Sequence, residues 1–478
     1  LGFIDKNEYF FFKDRKKDII IKGGINISSV EIENIILNNS IIKESAVIPV
    51  TDSFFGENIL AFITLKNRKI KFNQESFKKK LEKKLGYFKT PNEIRVIKNM
   101  PKTSNGKIKK VLLKNYIWKK KILIFGAGAI GRGYIAPLFH KINYSIHFVD
   151  INKKLVDLIN KNKSYTAAFT NKKKYEFYKV KDVRAFLLSD NYDTSDYDVV
   201  ISCVGPNECY KIANKIKNAK FVLSCENDPE TVNELKKLSG NKNIYFGIPD
   251  VITSNTASTK LLKKDKLIVI SEVGKLIVNT KYKLPKPIIN VDEKGIVKHW
   301  RCKLLIHNAP HAIIAYLGYL KDYEFIHQAM NDNEIKKIVR GAMDEITSGL
   351  IVSKFTDKKF ALDYKKKELS RFENKLLFDP ISRVSRNPLR KLDKNNRLPL
   401  ALRVASFGKK LPKNLSIGLI AALNYINNKD MESIHLQNLK KSLGESKLLE
   451  DLCGILQSEP LNQYCTDQIN NKFFKSNG

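Results

Sequence analysis

A glycine-rich run offers the clearest chemistry in this sequence of 478 residues. It reads Phe-Gly-Ala-Gly-Ala-Ile-Gly-Arg-Gly over 125–133, between an apolar segment and a helical pattern. Gly126 suits a tight turn, Gly128 allows a pyrophosphate to approach the backbone, and Gly131 allows close helix–strand packing. Unpaired N–H groups at the start of the helix would bind the phosphates. The run therefore predicts a dinucleotide-binding site.

An acidic residue follows at the distance that such a site requires. Asp150 ends the next predicted strand, where a ribose-binding carboxylate is expected. A carboxylate accepts hydrogen bonds from both ribose hydroxyls and repels a 2′-phosphate, so Asp150 favours NAD over NADP as the cofactor.

Strand and helix patterns alternate around these residues. The predicted strands are Lys121–Phe125, Ser145–Asp150, Val199–Val204, Phe221–Ser224 and Asn243–Gly247. The predicted helices are Asn152–Asn160, Glu208–Lys217, Ala312–Leu320, Glu334–Val352, Leu415–Tyr425 and Lys447–Leu456. This order predicts a mostly parallel sheet with helices on both faces, followed from about residue 300 by an all-helical domain. We expect the substrate in the cleft between the two.

Composition narrows the class of protein. The formal charge is +37, but lysines are spread along the chain, which favours compositional drift over nucleic-acid binding. The sequence contains no apolar run long enough for a membrane span, and its start has no secretory pattern. Six cysteines without C-x-x-C spacing predict free thiols in a reducing cytoplasm, and the seven histidines show no zinc pattern. Because the chain opens without Met and within a recognisable pattern, we expect a fragment or a rearranged product.

Residues 1–113 carry motifs of another kind. A basic stretch around Lys17 precedes Ile19–Ser28, and Pro101–Ile108 reads Pro-Lys-Thr-Ser-Asn-Gly-Lys-Ile. These motifs resemble the small C-terminal α+β lid domain of the adenylate-forming ligases, including the acyl-CoA synthetases. The resemblance implies that Lys107 contacts an acyl-adenylate and that Lys17 marks the hinge of the lid. Since the large adenylation domain is missing from this sequence, we expect no ligase activity from the unit alone. A separate adenylation core or carrier protein is its candidate partner.

From residue 120 onward, the sequence resembles the polyol-specific long-chain dehydrogenase family. The segments that carry the resemblance are Phe125–Gly133, Val204–Pro206, Cys225–Asn227, Lys303–Gly318, Arg371–Asn374 and Arg386–Leu392. The resemblance implies an NAD-binding α/β Rossmann domain over 119–297 and a helical substrate and catalytic domain over 298–478, without a metal. It also implies that Arg132, Val204 and Gly205 contact the NAD.

The resemblance assigns the catalytic residues. Lys303 is implied as the general acid/base, Asn308 and Asn227 as amides that hold the reacting oxygen, and His311 as a contact to a substrate hydroxyl. A lysine serves at neutral pH when burial or a nearby cation lowers its pKa. Asn308 and His311 share a helix face, and we expect this helix to begin near Pro310, after Lys303. A helix-capping role for Asn308 and a core role for His311 stay open.

The phosphate end of the substrate is implied to lie at Arg386, Arg390 and Lys391, because arginine forks fit phosphate oxygens. Arg383 and Arg397 are further candidates. A solvated basic loop is the alternative interpretation of these residues.

Two departures from the family pattern concern the outer substrate pocket. Residues 250–254 read Asp-Val-Ile-Thr-Ser where the family commonly has Asp-Arg-Ile-Val-Pro, and Leu276 stands near the position of a usual Trp. The sugar phosphate that binds there can therefore differ from fructose 6-phosphate.

The resemblance as a whole implies an NAD-dependent polyol-phosphate dehydrogenase. It would interconvert mannitol 1-phosphate, or a related hexitol phosphate, and fructose 6-phosphate by hydride transfer with a lysine acid/base. The alternatives are a free-polyol or hexuronate dehydrogenase of the same superfamily, an adenylate-forming lid module that acts with a separate core, and charge-driven nucleic-acid binding.

Overall fold

The computed structural model describes the chain except for residues 1, 5, 7, 13–18, 53–54, 68–71, 114–119, 227, 283, 409–410 and 476–478. The chain divides into two compact units, residues 1–119 and residues 120–478. Lys17 and Asn227, both predicted site residues, lie outside the described residues.

The first unit is a small α+β domain, as predicted. Its strands are β1 (Gly2–Ile4), β2 (Phe10–Phe12), β3 (Ile19–Lys22), β4 (Ile25–Ser28), β5 (Ile42–Asp52), β6 (Gly56–Leu65) and β7 (Glu93–Val96). Its helices are α1 (Ser29–Leu37), α2 (Gln74–Lys89) and α3 (Lys110–Leu113). Strands β4-β3-β6-β5 form a sheet, with β7 parallel to β6. Ile20, Ile32 and Phe77 belong to the buried cluster that joins this sheet to α1 and α2.

The second unit contains the predicted parallel sheet. Its strands are β8 (Lys120–Phe125), β9 (Tyr144–Asp150), β10 (Ser164–Thr170), β11 (Tyr175–Lys181), β12 (Arg184–Leu187), β13 (Val199–Ser202), β14 (Val222–Ser224), β15 (Ile244–Asp250), β16 (Thr253–Ser254), β17 (Val269–Glu272), β18 (Lys275–Val278) and β19 (Ile289–Asn290). The main sheet has the order β12-β9-β8-β13-β14-β15-β18-β19, and its first six strands are parallel. The strand order reverses between β8 and β13, which is where open α/β sheets bind ligands.

Helices cover both faces of this sheet. They are α4 (Ala136–Lys141), α5 (Lys153–Asn162) and α6 (Glu230–Ser239), with a π turn at Gly131–Ile135 and 3₁₀ segments at Thr194–Asp196 and Pro206–Ile216. Helix α7 (Thr259–Lys264) lies elsewhere, because its buried Leu261 belongs to the cluster that contains residues of β10 and β17. Two separate apolar clusters lie against the two faces, one around Ile124 and Phe148 and the other around Leu123 and Leu235. Strands buried on both faces read as continuous apolar runs, which is why the sequence predicted them.

Two predicted elements after β8 have different ends or types. The strand predicted to reach Val204 ends at Ser202, because the N–H groups of Val204 and Gly205 donate to the Glu226 carboxylate instead of a neighbouring strand. The helix predicted over Glu208–Lys217 is a 3₁₀ segment.

The second unit also contains a second sheet, β11-β10-β17-β16, which was not predicted.

The rest of the second unit is helical, as predicted. Its helices are α8 (Glu293–Cys302), α9 (Ala309–Leu320), α10 (Ile326–Ala329), α11 (Asn333–Val352), α12 (Lys358–Phe372), α13 (Ile381–Val384), α14 (Pro388–Leu392), α15 (Arg397–Ala405), α16 (Lys413–Leu423), α17 (Met431–Asp451), α18 (Pro460–Asp467) and α19 (Lys472–Lys475). A π turn at Lys303–Asn308 joins α8 to α9, and 3₁₀ segments cover Lys375–Leu377 and Gln468–Asn470. Helices α9 and α16 are buried almost all round within one large apolar cluster.

The last predicted helix has different bounds in the structure. The segment expected over Lys447–Leu456 is the end of α17, which continues from Met431 through a kink at Gly444 and stops at Asp451. Gly454 then adopts a positive φ of 66°, a conformation that glycine reaches without strain. The predicted boundary between residues 297 and 298 lies inside α8.

The glycine turn after β8 has the geometry that the sequence predicted. Gly126 has a positive φ of 92°, and a Cβ there would lie 2.4 Å from the Cys203 carbonyl oxygen. A Cβ on Gly131 would lie 2.1 Å from the Gly126 carbonyl oxygen, whereas one on Gly128 would meet nothing within 4 Å. Gly126 and Gly131 therefore allow close backbone packing, and Gly128 leaves open space above the turn.

Replacing Gly131 with Ala is expected to lower the free energy of unfolding of the second unit by about 1–3 kcal/mol, because the added methyl group must displace packed backbone. Gly128→Ala is the matched control, and its effect should stay within about 0.5 kcal/mol because its Cβ enters open space. Denaturant unfolding measures both variants. Equal stability of the two would contradict the packing of this turn.

Candidate active site

A cavity of about 620 Å³ lies at the carboxyl ends of β8, β13 and β15. On the sheet side it is lined by residues 129–130, 203–208 and 251–253. On the helical side it is lined by Lys303, His307, Asn308, His311, Arg383, Val384, Arg386, Asn387, Arg390, Lys391 and Arg397. The cavity thus brings three of the predicted catalytic residues together with all of the predicted phosphate-binding residues.

One continuous helical stretch carries Lys303, Asn308 and His311 to the cavity. It runs through α8, the π turn and α9. As expected, α9 begins next to Pro310 and after Lys303, but helical geometry continues upstream through the π turn into α8, which was not predicted. The wider π turn lets Pro310, which lacks an N–H, lie within the helical path. Asn308 has helical dihedral angles and no capping hydrogen bond, so the capping alternative finds no support.

Lys303 is buried at the wall of the cavity, and its Nζ donates to the Pro249 carbonyl oxygen at 2.6 Å. Burial lowers the pKa of Lys303 to about 8, although the Asp250 carboxylate acts in the opposite direction. An amine with such a pKa exchanges protons near neutral pH, which is the property that a general acid/base requires.

An ionic cluster centred on Arg371 lies beside Lys303. The Arg371 guanidinium contacts Asp250 at 2.8 Å, Glu368 at 2.9 Å and Glu272 at 3.0 Å, and all four side chains are buried. It also donates to the Asp250 carbonyl oxygen. Because these residues come from α12, β15 and β17, the cluster connects the sheet wall of the cavity to the helical wall.

The carboxylates of this cluster titrate differently. Arg371, followed by Lys367, holds the pKa of Asp250 well below its usual range, although burial opposes this effect. Burial raises the pKa of Glu272 to about 7 in spite of its contact with Arg371. Glu368 also accepts from His307 Nδ1 at 2.5 Å, and against the opposing effect of burial this imidazole and Arg371 lower its pKa to about 2.

His311 is held by a second carboxylate. Its Nε2 lies 2.8 Å from Asp379 Oδ2, and its ring stacks on Phe372 with the ring centroids 5.4 Å apart. Asp379 Oδ1 accepts from Nη2 and Nε of Arg383, at 2.5 and 3.1 Å. His311 is therefore a buried and bonded histidine that also lines the cavity, so the core and site interpretations both describe it.

The far end of the cavity is strongly positive. Arg383, Arg386, Arg390, Lys391 and Arg397 line it together. Burial and the neighbouring Arg397 and Arg390 lower the pKa of Lys391 well below its usual range, and burial and Arg390 lower the pKa of Arg397 to about 10. Lys391 donates to the Arg386 carbonyl oxygen. Among the described side chains, Arg390 Nε is one of the buried donors that lack a hydrogen-bond partner.

A second, smaller pocket of about 250 Å³ opens over the glycine turn. It is lined by Gly126, Gly128, Asp150, Val204 and other residues of the turn and of the β13 end. Asp150 ends β9, and its two oxygens accept the N–H groups of Ala127 and Asn152 at 2.8 and 2.9 Å. Four of the predicted cofactor residues thus surround one pocket, and Gly205 lines the neighbouring cavity.

Arg132 has a different position from these residues. Its buried guanidinium donates to the carbonyl oxygens of Ala127 and Leu267, both at 2.5 Å, and to Asn255 Oδ1 at 3.3 Å. These contacts join the glycine turn to the second sheet. Arg132 therefore supports the turn from behind and lines neither cavity.

Four functional side chains were missed by sequence reasoning. Arg371 and Glu226 lie within the segments that carry the family resemblance. The sequence therefore pointed to these two residues but did not indicate what they do. Glu226 is buried and accepts from Ser202 Oγ, Val204 N and Gly205 N, which holds the loop between the two pockets. Glu368 and Asp379 have no sequence signal, because each pairs with a histidine more than 60 residues away.

In the first unit, Lys107 is exposed on a tight turn. Thr103 N donates to the Lys107 carbonyl oxygen at 2.8 Å, Lys102 bridges to Ile108, and Gly106 has a positive φ of 79°. The turn presents the Lys107 ammonium to solvent.

The described part of the chain contains no group of three or more His, Cys, Asp or Glu side chains arranged to hold a metal ion. Its helices include none with the length and apolarity needed to span a membrane.

Comparison with known proteins assigns the second unit. Residues 120–240 match the mannitol dehydrogenase Rossmann domain, and residues 296–451 match the mannitol dehydrogenase C-terminal domain. A mannitol-1-phosphate 5-dehydrogenase of Buchnera aphidicola subsp. Acyrthosiphon pisum (strain Tuc7) is 33% identical over 363 residues, which are 70% of this chain and 94% of that protein. The chain belongs to the mannitol dehydrogenase family. It is therefore an oxidoreductase that acts on CH–OH groups, a polyol dehydrogenase.

Further relatives agree with this assignment. The mannitol-1-phosphate 5-dehydrogenase of Caldanaerobacter subterraneus subsp. tengcongensis is 31% identical over 387 residues, 75% of this chain and 99% of that protein. The structure of Pseudomonas fluorescens mannitol 2-dehydrogenase, a ternary complex with NAD and D-mannitol, has the same fold (TM-score 0.61, 17% identity, 76% of this chain and 94% of that chain). Residues 31–107 of the first unit match the AMP-binding enzyme C-terminal domain.

Replacing Arg371 with Met is expected to lower the free energy of unfolding by about 3–5 kcal/mol, since it removes the buried guanidinium that Asp250, Glu368 and Glu272 share. The loss should be largest at neutral pH. Without Arg371 the pKa of Asp250 rises above its value in the unfolded chain, so protonation below about pH 4 relieves the penalty.

Denaturant unfolding at several pH values measures this difference. Lys367→Met is the matched control: its ammonium also contacts Asp250 but is partly exposed, so its loss should cost less than about 1 kcal/mol. An Arg371→Met effect that stays constant from pH 7 to pH 4 would show that lost packing, and not unpaired charge, is responsible.

Proposed function

We propose that this polyol dehydrogenase is an NAD-dependent polyol-phosphate dehydrogenase that interconverts mannitol 1-phosphate, or a related hexitol phosphate, and fructose 6-phosphate. One observation carries the proposal: a single cavity combines Lys303, Asn308 and His311 with a cluster of cations that includes the unpartnered Nε of Arg390. The relatives named mannitol-1-phosphate 5-dehydrogenases support the same substrate.

NAD is the cofactor in this proposal. The open space above Gly128 fits a pyrophosphate, which a side chain at this position would obstruct. Asp150 lines the adjoining pocket, and its two backbone hydrogen bonds hold the carboxylate toward the ribose position. When bound, NAD supplies the hydride acceptor. Gly205 and Val204 lie at the junction of the two pockets, and Glu226 keeps them there.

The chain supplies the proton chemistry. In the oxidation direction, the neutral Lys303 amine removes the proton of the substrate hydroxyl, and in the reduction direction its ammonium returns a proton to the oxygen. Asn308, and Asn227 by family resemblance, donate amide hydrogens to that oxygen without changing charge. His311 contacts a neighbouring hydroxyl and orients the carbon chain.

The cation cluster binds the phosphate. Guanidinium groups of Arg386 and Arg390 make paired hydrogen bonds to phosphate oxygens. The anion also relieves the repulsion that Arg397 and Arg390 exert on Lys391. A free polyol has no charge that could do this. A hexuronate brings only one negative charge, so the cluster favours the phosphorylated substrate over both alternatives.

For the first unit we propose a role that needs an adenylation core outside these 478 residues. The match to the AMP-binding enzyme C-terminal domain covers 31–107 and includes Lys107. A lid lysine stabilises a transition state only against the phosphate-binding surface of an adenylation core. The unit therefore acts by docking on a separate core or on a carrier protein, and not as a ligase by itself.

The pH dependence of kcat/KM tests the role of Lys303. Polyol oxidation is expected to increase as pH rises through about 8, because the neutral amine is the active form, and ketone reduction to decrease over the same range, because it needs the ammonium. Lys303→Met should lower kcat by about 10²–10⁴-fold and abolish the pH dependence near 8 in both directions of the reaction. The control is Lys298→Met, because Lys298 lies in the preceding helix α8 and pairs with Asp357 at the surface. This variant should keep the wild-type pH dependence in both directions.

Substrate choice tests the cation cluster. Replacing Arg386 or Arg390 with Ala should raise the KM for fructose 6-phosphate by about 10- to 100-fold, since each variant loses charged hydrogen bonds to the phosphate. The KM for free fructose should change little. Lys394→Ala, an exposed basic residue outside the cavity, is the control.

Two outcomes of NADH oxidation assays would decide against this proposal. A folded wild-type chain that turns over no sugar phosphate removes it. A KM that rises equally for free and phosphorylated sugars in the arginine variants favours a free-polyol or hexuronate dehydrogenase.

A further inference from the structure

The Asp379 carboxylate lies between the two ends of the cavity. One oxygen contacts His311 at the reaction end, and the other accepts from Arg383 at the cationic end. Its segment is fixed on both sides: Ile326 N donates to the Asp379 carbonyl oxygen, and Ser254 Oγ donates to the Phe378 carbonyl oxygen. The carboxylate is buried, so its position is set by the fold and not by solvent.

This contact determines which imidazole nitrogen carries the proton. The Arg383 guanidinium lowers the pKa of Asp379 far below its usual range, against the effect of burial, and His311 lowers it further. Asp379 is therefore an ionised acceptor, and a neutral His311 can bond to it only through a protonated Nε2. The lone pair is then on Nδ1, and stacking on Phe372 restricts rotation of the ring.

We propose that Asp379 is a positioning residue that holds His311 as the Nε2–H tautomer, so that Nδ1 accepts a hydrogen bond from a substrate hydroxyl. The inference rests on the proposed function for the contact between His311 and the substrate. It extends that function in one respect. The Asp379 carboxylate also accepts from Arg383, so one side chain holds both the imidazole of the reaction end and a guanidinium of the phosphate end.

This arrangement makes a hydroxyl donor part of substrate recognition. If the substrate offers no hydroxyl to Nδ1, this nitrogen remains an unpaired polar group in the complex. Sites that hydrogen-bond a substrate hydroxyl therefore reject analogues that lack it. The site thus selects a sugar phosphate with a hydroxyl beside the reacting carbon, and it discriminates against the corresponding deoxy sugar phosphate.

The tautomer can be observed without an activity assay. The nitrogen NMR spectrum of the full chain, labelled at its seven histidines and recorded at alkaline pH, separates protonated from unprotonated ring nitrogens. His311→Gln identifies the signals of His311. Protonated Nε2 in the wild-type chain is the expected result, and protonated Nδ1 would overturn the proposal even if no variant of Asp379 folds.

Asp379→Asn should reverse the tautomer. Because a guanidinium can only donate, Arg383 takes the oxygen of the new amide, and the amide nitrogen must then face His311. Nε2 becomes the acceptor, Nδ1 becomes protonated, and kcat with fructose 6-phosphate should fall by about 10- to 100-fold. Glu368→Gln is the matched control, since it alters the other carboxylate–imidazole pair and should leave the His311 signals in their wild-type tautomer.

Removing the arginine should restore the original tautomer. With Arg383→Met, the new amide can rotate its oxygen toward His311, so Asp379→Asn should cost less than about threefold in kcat relative to Arg383→Met alone. An equal loss in both backgrounds would reduce Asp379 to a structural residue and overturn the proposal. If the wild-type chain turns over no polyol or sugar phosphate, the proposed function fails, whereas the nitrogen spectrum still reports the tautomer.

Discussion

The contact of Arg371 with three buried carboxylates is the interaction on which the site depends. Charged groups remain inside a protein only when they are paired and hydrogen-bonded, so the cluster forces β15, β17 and α12 to meet at one point. Lys303 lies beside this point, where burial lowers its pKa while Asp250 keeps that pKa from falling further. The ionic cluster thereby holds the cavity walls together and adjusts the basicity of the amine.

The two ends of the cavity use charge in opposite ways. At the reaction end, Lys303 is buried and exchanges a proton near neutral pH, and His311 is bonded to a carboxylate. At the other end, the arginines and Lys391 lie close together and have fewer acidic partners than Arg371 has at the reaction end. Their positive charge is therefore not fully balanced. A hexitol phosphate has a neutral carbon chain and a dianionic end, and such a cavity matches both.

The glycine turn, the parallel sheet and the helical region were predictable because each depends on local pattern. Gly126 and Gly131 mark backbone contacts that admit no Cβ, and the apolar strands are buried on both faces. The second sheet was harder to predict as a unit, since its β10–β11 hairpin joins the β16–β17 pair through β10 and β17, which are about 100 residues apart. The start of α9 near Pro310 was predictable, but the π turn that joins it to α8 was not, because residue preferences do not indicate a π turn.

By itself, the sequence determined the residue types that the chemistry requires and the elements that carry them: the glycine turn, Asp150, and the spacing from Lys303 to His311. The tertiary structure alone decided that Lys303, Asn308 and His311 share one cavity with the cations, and that the glycine turn and Asp150 line the smaller pocket next to it. It also decided that Asp379 and Arg371 hold the walls of the cavity. The physical reason is that pKa values and hydrogen-bond partners depend on burial and on residues distant in the chain. Burial of this kind exists only after the sheet and the helices have packed together.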